Sequence, residues 1–542
     1  MNKTVHELTK FIKQTGFPII LENIVRDEII QGMIMNTNLA DIFSLSKLCY
    51  IAIKGQKDPL ESYLDKILKL NPVLIITDKE CRYENIPLHY NYIVLENLKT
   101  ILPNILSFFY ELQTKKLNIF GITGTNGKTT ITTILYGIFN ELSKNDPRYK
   151  SALIGTVKYL IDDQTIVESS TSTIPLTTPD ICTNYYLLNL CRNIGIKNVF
   201  MEVSSHSLDQ ERINGIDFKV TAFTNLSRDH LDYHKTFKNY FEAKKKLFTK
   251  YKSEFKIINT NNRFGKILFQ ELKNNNFTNL IDFKIKRIST KIGINNSSLI
   301  SSFDLTFSDP INNESITDRI ETDLIGKHNL ENLSIAFITS YIYLKYIFHN
   351  LDDIWKVKIL LKNASRFLEN TGRLEMVNTF PFVFIDYAHT PDALKKILQT
   401  LVNIRKMLGA GKLTVVFGAG GNRDKTKRPL MGKVAEKYAD LIILTSDNPR
   451  NEDPLQIIHQ IKKGITNRSK VIVELNRKKA IIQALQKSQK NDIILIAGKG
   501  HEKYQIIANQ TIPFSDSQIV LEFFSKNNTL KEVSLTSMDN TI

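Results

Sequence analysis

The segment Gly121-Ile-Thr-Gly-Thr-Asn-Gly-Lys-Thr129 brings together residue types that bind phosphate. It follows the apolar run LNIF and precedes TTITTILYGIF, so the pattern predicts a strand, a Gly-rich turn and then a helix. In that setting glycines let backbone N–H groups close on phosphate oxygens. Lys128 supplies a cation to the outer phosphates, and Thr129 offers a hydroxyl to Mg²⁺. The candidates are Gly124, Thr125, Asn126, Gly127, Lys128, Thr129 and Thr130. Five residues separate Gly121 from Gly127 where the common loop has four, and a plain Gly-rich helix cap is the alternative reading.

Met201-Glu-Val-Ser-Ser-His206 ends another predicted strand. A carboxylate there faces the phosphate loop across the sheet edge, which makes Glu202 a candidate Mg²⁺ ligand, although an acid at a strand end is commonly just solvated. Asn225-Leu-Ser-Arg-Asp-His230-Leu-Asp-Tyr-His234 ends a further strand, with helix caps as its bland reading. In Tyr240-Phe-Glu-Ala-Lys-Lys-Lys-Leu-Phe248, helical spacing puts Lys244 on the stripe of Tyr240, Leu247 and Phe248 and leaves Lys245 and Lys246 off it. Aromatic surroundings disfavour an ammonium, and a neutral amine reacts with CO₂ to give a carbamate. That reaction turns a cation into an anionic Mg²⁺ ligand.

Three clusters suit a nucleotide: Gly326-Lys-His-Asn329, Gly372-Arg373-Leu-Glu375 and Asp386-Tyr-Ala-His-Thr-Pro-Asp392. Asn329 can read an adenine edge, Arg373 can stack on a ring or neutralise phosphate, and Asp386 can accept ribose hydroxyls. Each is also compatible with an ordinary loop or cap.

The elements that must position these groups alternate. Apolar runs that stop at polar or Gly-rich clusters, such as NVFMEVSSHS, PFVFIDYAHT, LTVVFGAGG, LIILTSDNPR and DIILIAGKGHE, predict parallel strands with functional side chains at their carboxyl ends. The stretch from Asn262 to Asp323, rich in Asn and Ser, reads as a small subsheet with surface loops. The polar tail after Lys526 reads as frayed. At 542 residues, with 42% hydrophobic and 23% charged residues, the chain is globular and of several domains, not collagen-like or mainly disordered. Four cysteines without CxxC pairing argue for a reduced compartment without structural zinc. Neither a signal peptide nor an apolar run of roughly 18 residues is present, and a cytoplasmic protein without membrane insertion is expected. The net charge of +17 is compatible with nucleic acid, an anionic membrane or a phosphorylated, carboxylated substrate, but no basic arm or basic-aromatic repeat favours nucleic acid.

In order along the chain, GTNGKTT, MEVSSHSL, TNLSRDHLDYH, YFEAKKKLF, GKHNLENLSIA, DYAHTPDAL, FGAGGNRDKTKRPLMG, SDNPR and AGKGHE resemble the Mur ligases, over about Leu117 to Ile507. The resemblance implies an α/β protein of three domains: an N-terminal α/β UDP-binding domain (1–113), a central P-loop-type ATPase domain with a parallel sheet (114–350), and a C-terminal Rossmann-like amino-acid domain (351–542). It implies an ATP- and Mg²⁺-dependent amide ligase of peptidoglycan synthesis, acting as a monomer. The substrates implied are a UDP-N-acetylmuramoyl-dipeptide and a free diamino acid, joined through an acyl phosphate. By the same resemblance Lys128, Lys244 and His230 are catalytic, with Lys244 carbamylated. Thr129, Glu202, His230 and Lys244 hold the metal, and Asn329, Arg373 and Asp386 contact ATP. Thr177, Thr178, Ser204, Gln210 and Arg212 hold the UDP-sugar peptide. Arg423, Asp447, Asn448, Pro449, Arg450, Gly498 and Glu502 form the amino-acid site.

Two departures stand out. Asn36-Thr37-Asn38 occupies the place of the family's Asp-Ser-Arg, with Thr37 kept as a substrate contact, and Thr371 precedes Gly-Arg where Pro is common. Arg450 suits a second carboxylate and so meso-diaminopimelate, with lysine or ornithine as the alternative if Glu452 or another acid pairs it. A folylpolyglutamate synthetase and a nucleic-acid-dependent P-loop ATPase are the other readings.

Overall fold

The computed structural model describes residues 3–37, 40, 45–55, 58–168, 176–292, 299–409, 411–508 and 510–526. Asn38 and the tail beyond Lys526 lie outside them. Three α/β layers dominate. In the first, Gly32–Ile34, Leu48–Ala52, Leu74–Asp78 and Tyr92–Leu95 run parallel, and Ile19–Asn23 pairs antiparallel at one edge. Leu48–Ala52 and Leu74–Asp78 are buried throughout, as unbroken apolar runs require when both sheet faces are covered.

The central sheet has eight strands, in the order Gln164–Glu168, Lys158–Ile161, Ser151–Ile154, Asn198–Glu202, Asn118–Thr123, Phe218–Phe223, Ser253–Ile258 and Leu280–Ile281. The six strands from Ser151–Ile154 onward in that order are parallel, and the Lys158–Glu168 hairpin extends one edge. Asn118–Thr123 lies between Asn198–Glu202 and Phe218–Phe223, with Ile122 in register with Glu202 and Ala222. That register brings the phosphate loop, Glu202 and the Asn225 segment to one sheet edge.

Two expectations need correction. The Asn/Ser-rich stretch does hold a subsheet, the antiparallel strands Phe283–Ile292, Leu299–Ser308 and Ser315–Thr322. Its first part, however, is the helix Arg263–Asn274, not a loop. Asn262 caps it by accepting from Gly265 N, and Leu268 and Leu272, one turn apart, are buried. The second correction concerns the boundary at 350/351: Val357, Leu361, Ala364 and Leu368 share the core of Phe120, Phe139 and Phe200. The chain therefore leaves the central core near Gly372.

The third sheet runs Glu375–Thr379, Phe382–Asp386, Ile493–Ala497, Leu413–Phe417, Leu441–Leu444 and Val471–Val473, parallel except for the first strand. The carboxyl ends of its strands carry Asp386, Gly418–Gly421, Asp447 and Gly498. No helix among the described residues is long and apolar enough to cross a membrane.

Candidate active site

The phosphate loop is held from three sides. Gly124 has φ +146°, and a Cβ there meets Thr224 Oγ1 at 1.8 Å, so only glycine fits. Thr125 N donates to Asn225 O, Asn126 N donates to Asn225 Oδ1 at 3.0 Å, and Thr224 Oγ1 donates to Asn126 O at 2.6 Å. Gly127 precedes the helix Lys128–Ser143, whose free N-terminal N–H groups make an anion site. Lys128 is half-buried, not the surface side chain its position in a polar loop suggests. Its Nζ donates to Gly124 O and Thr125 O, both at 3.0 Å, and burial pulls its pKa down.

Glu202 is buried, and its hydrogen bonds come from hydroxyls and a backbone amide. Oε2 accepts from Thr129 Oγ1 and Thr156 Oγ1, each at 3.0 Å, and Oε1 accepts from Thr156 N at 2.8 Å. A carboxylate beside two hydroxyl oxygens is a hard-oxygen donor set that fits Mg²⁺. Among the described residues no three His, Cys, Asp or Glu side chains cluster to hold a metal.

Lys244 also reaches the phosphate loop. It is 1% exposed, its Nζ donates to Gly124 O at 2.8 Å, and it lies 4.8 Å from the Tyr240 ring centroid. Burial, reinforced by Lys128, holds its pKa well below the ordinary lysine range. Lys245 and Lys246, off the stripe as the spacing predicts, pair with Glu242 and Asp209. His230 has φ +51°, and its Nε2 is 3.5 Å from Asp229 Oδ2. Asp229 Oδ2 is also 3.5 Å from His389 Nε2, which joins the central and C-terminal sheets.

On the nucleotide side, Asn329, Arg373 and Asp386 line one cavity with Gly127 and Thr130. Arg373 lies 4.7 Å from the Tyr387 ring centroid, and its Nη2 donates to Thr129 Oγ1 at 3.2 Å across the domain junction. Asp386 accepts from Leu374 N and Ala388 N, each at 2.6 Å, and burial pushes its carboxyl up to about 6. Each oxygen thus already holds a loop in place, with lone pairs left for a ribose hydroxyl.

Thr37, Gln210 and Arg212 line a separate cleft between the N-terminal and central layers. Thr177, Thr178 and Ser204 stand behind it. Thr177 accepts from Thr156 Oγ1, and Ser204 caps the helix Ser205–Asp209. Thr178 is buried, donating to Glu202 O at 2.7 Å and accepting from Ser204 N at 3.0 Å, so its hydroxyl braces the strand end that carries Glu202. Lys54, Lys66 and Lys99 also line the cleft. Nothing in their sequence context marked them, because they lie on separate elements.

A third cavity collects Arg423, Asp447, Asn448, Arg450, Gly498 and Glu502 around Asp229 and His230. Pro449 acts through its backbone: a Cβ on Gly421 meets its carbonyl oxygen at 1.8 Å. Arg450 Nη1 donates to Gly421 O at 2.9 Å, and no carboxylate pairs with it among the described residues. Glu452 is taken by Arg428, a buried side chain 2.8 Å away, and by Lys425. Asp229, His389, Lys499 and Thr156 complete the site and were not singled out from sequence. Asp229 and His389 sit inside motifs that had been recognised, whereas Thr156 gave no signal.

A phosphate loop, a buried carboxylate beside it and a second α/β sheet closing over both define a nucleotide-dependent ligase architecture, and the chain belongs to the Mur ligase family. Residues 122–340 match the Mur ligase middle domain and residues 372–500 the Mur ligase glutamate ligase domain. UDP-N-acetylmuramoyl-L-alanyl-D-glutamate--2,6-diaminopimelate ligase of Aquifex aeolicus is 38% identical over 476 residues, 87% of this chain and 90% of that protein. The Clostridium tetani protein of the same name is 34% identical over 530 residues, 96% and 99% of the two chains. A solved structure of a ligase of that name aligns with TM-score 0.54 at 26% identity, covering 97% of this chain and 100% of that one. MurF from Acinetobacter baumannii aligns with TM-score 0.60 at 15% identity over 93% and 97% of the chains, which shows the shared fold.

Proposed function

We propose that the chain joins meso-diaminopimelate to UDP-N-acetylmuramoyl-L-alanyl-D-glutamate at the expense of ATP, as a cytoplasmic monomer in peptidoglycan synthesis that needs no nucleic acid. Arg450 carries the choice of amino acid. Among the described residues its guanidinium has no carboxylate partner, and it shares a cavity with Glu502, in a chain whose relatives of 34–38% identity bear the diaminopimelate name. The distal end of diaminopimelate is a carboxylate and an ammonium on one carbon, complementary to that cation and anion. Lysine lacks the carboxylate, so Arg450 would repel its ammonium.

Carboxylate and amine do not condense in water at useful rates, so the dipeptide carboxylate first needs a leaving group. In this reading its oxygen attacks the γ-phosphorus of ATP, ADP departs, and the acyl phosphate is attacked at carbon by the amine while phosphate leaves. The backbone from Gly124 to Thr130 cradles the phosphates, and Lys128 turns from Gly124 O and Thr125 O to meet the transferring group. Thr129, Glu202, His230 and a carbamate on Lys244 would hold Mg²⁺, which would neutralise charge on the phosphates. Asn329, Arg373 and Asp386 orient the nucleotide, while Thr37, Thr177, Thr178, Ser204, Gln210 and Arg212 hold the UDP-sugar peptide, Arg212 being fixed by its hydrogen bond to Thr178 O. The test is phosphate release from ATP with the UDP-dipeptide and a panel of meso-diaminopimelate, lysine and ornithine. Turnover only with diaminopimelate supports the reading, and release without any amino acid but stimulated by DNA overturns it.

A further inference from the structure

The amino-acid cavity is backed by a lysine that does not line it. Lys499 is fully buried, and its Nζ donates to Asn448 Oδ1 at 3.1 Å and to Glu502 Oε2 at 2.8 Å. Asn448 Nδ2 donates to the same Glu502 oxygen at 2.8 Å. Asn448 Oδ1 also accepts from Ile506 N at 2.9 Å, and two donors on one atom fix which end of the amide faces Glu502. Glu502 Oε2 is therefore saturated, while Oε1 has no hydrogen-bond partner among the described residues and belongs to a side chain on the cavity wall.

We infer that Lys499 is a positioning residue for the incoming amino acid: it holds Glu502 in one rotamer, so that Oε1 is offered to a substrate ammonium. This rests on the reading that the cavity takes the amino acid. A buried lysine kept for packing alone can pair with any nearby acceptor, whereas the hydrogen-bond partners of Lys499 are two residues that line the cavity. Removing one member of such a network leaves the others undirected and uncompensated.

The experiment is steady-state kinetics of Lys499→Met with each substrate varied in turn. The expected result is a KM for diaminopimelate raised at least about thirtyfold, the scale for truncating one partner of a buried charge pair. The KM values for ATP and UDP-dipeptide are expected to stay within about threefold, and acyl phosphate trapped by borohydride to form at the wild-type rate. An unchanged KM for the amino acid, or an equal rise in all three, overturns the proposal. If Lys499→Met does not fold, Lys499→Arg decides. It keeps the charge but alters the geometry, so a tenfold or larger rise confined to the amino acid supports positioning. A normal KM, or failure of this variant to fold as well, assigns Lys499 to the core and overturns it. Wild-type protein that ignores diaminopimelate refutes the substrate assignment instead, and the same comparison is then read with the amino acid it does use.

Discussion

Lys244 Nζ stands 2.8 Å from the carbonyl oxygen of Gly124, so the helix Phe237–Thr249 is tied directly to the phosphate loop by a side chain that water does not reach. Burial favours the neutral amine there, which is the form that adds CO₂. Lys244→Ala is expected to lose at least about a hundredfold in turnover, with short carboxylates restoring part of it. Isotope-labelled CO₂ should give a carbamate signal in wild-type protein and none in the variant. Full activity of Lys244→Ala, or a bare ammonium under turnover conditions, would rule out the carbamate.

Lys128→Ala should abolish ligation, by about a thousandfold or more, because the transferring phosphoryl group loses its principal protein cation. The fold should survive, since the lost contacts are two hydrogen bonds to loop carbonyls. Circular dichroism melting beside an ATP turnover assay checks both halves. Near-normal turnover in a folded variant refutes the assignment of the loop.

Arg450→Ala should raise the KM for diaminopimelate by about a hundredfold while changing that for ATP only a few fold, because the charge it removes faces the amino-acid cavity alone. Competition between diaminopimelate and lysine measures the same effect as a collapse of selectivity. Equal efficiency of the wild-type enzyme with lysine would show that Arg450 does not read the distal carboxylate.

Glu452 is not paired with Arg450 because it serves Arg428, whose hydrogen bond holds the Glu452 carboxyl down from 4.5 to about 2. A depressed carboxyl contributes stability that is complete above its unfolded value and is lost as pH falls through its folded value. Glu452→Gln should therefore melt lower than wild type at pH 7, by on the order of 1 kcal/mol once solvent screening is allowed for. The gap should close between pH 4.5 and about 2. A gap that is independent of pH would mean that packing, not charge, connects this pair.

The placement of each cluster was readable along the chain because its groups are local. The loop from Gly121 to Thr129, Glu202 at its strand end and Lys244 on an apolar stripe all follow from spacings within one or two elements, where backbone period dictates which side chains share a face. The parallel sheets were legible for the same reason, since apolar runs ending in polar clusters reflect strands covered on both faces. The helix Arg263–Asn274 was hidden by its Asn-rich flanks, although Asn262 is its cap.

What the tertiary structure alone decided was the pairing of groups far apart in sequence. Thr129 and Arg373 meet across 244 positions, Asp229 meets His389, and Lys499 meets Asn448. The half-burial of Lys128, the consumption of the Thr178 hydroxyl and the freedom of Arg450 from Glu452 belong to the same class. Residue type sets what a side chain can bind, but hydrogen-bond partners and solvent exposure depend on which elements pack together, and no local spacing encodes that.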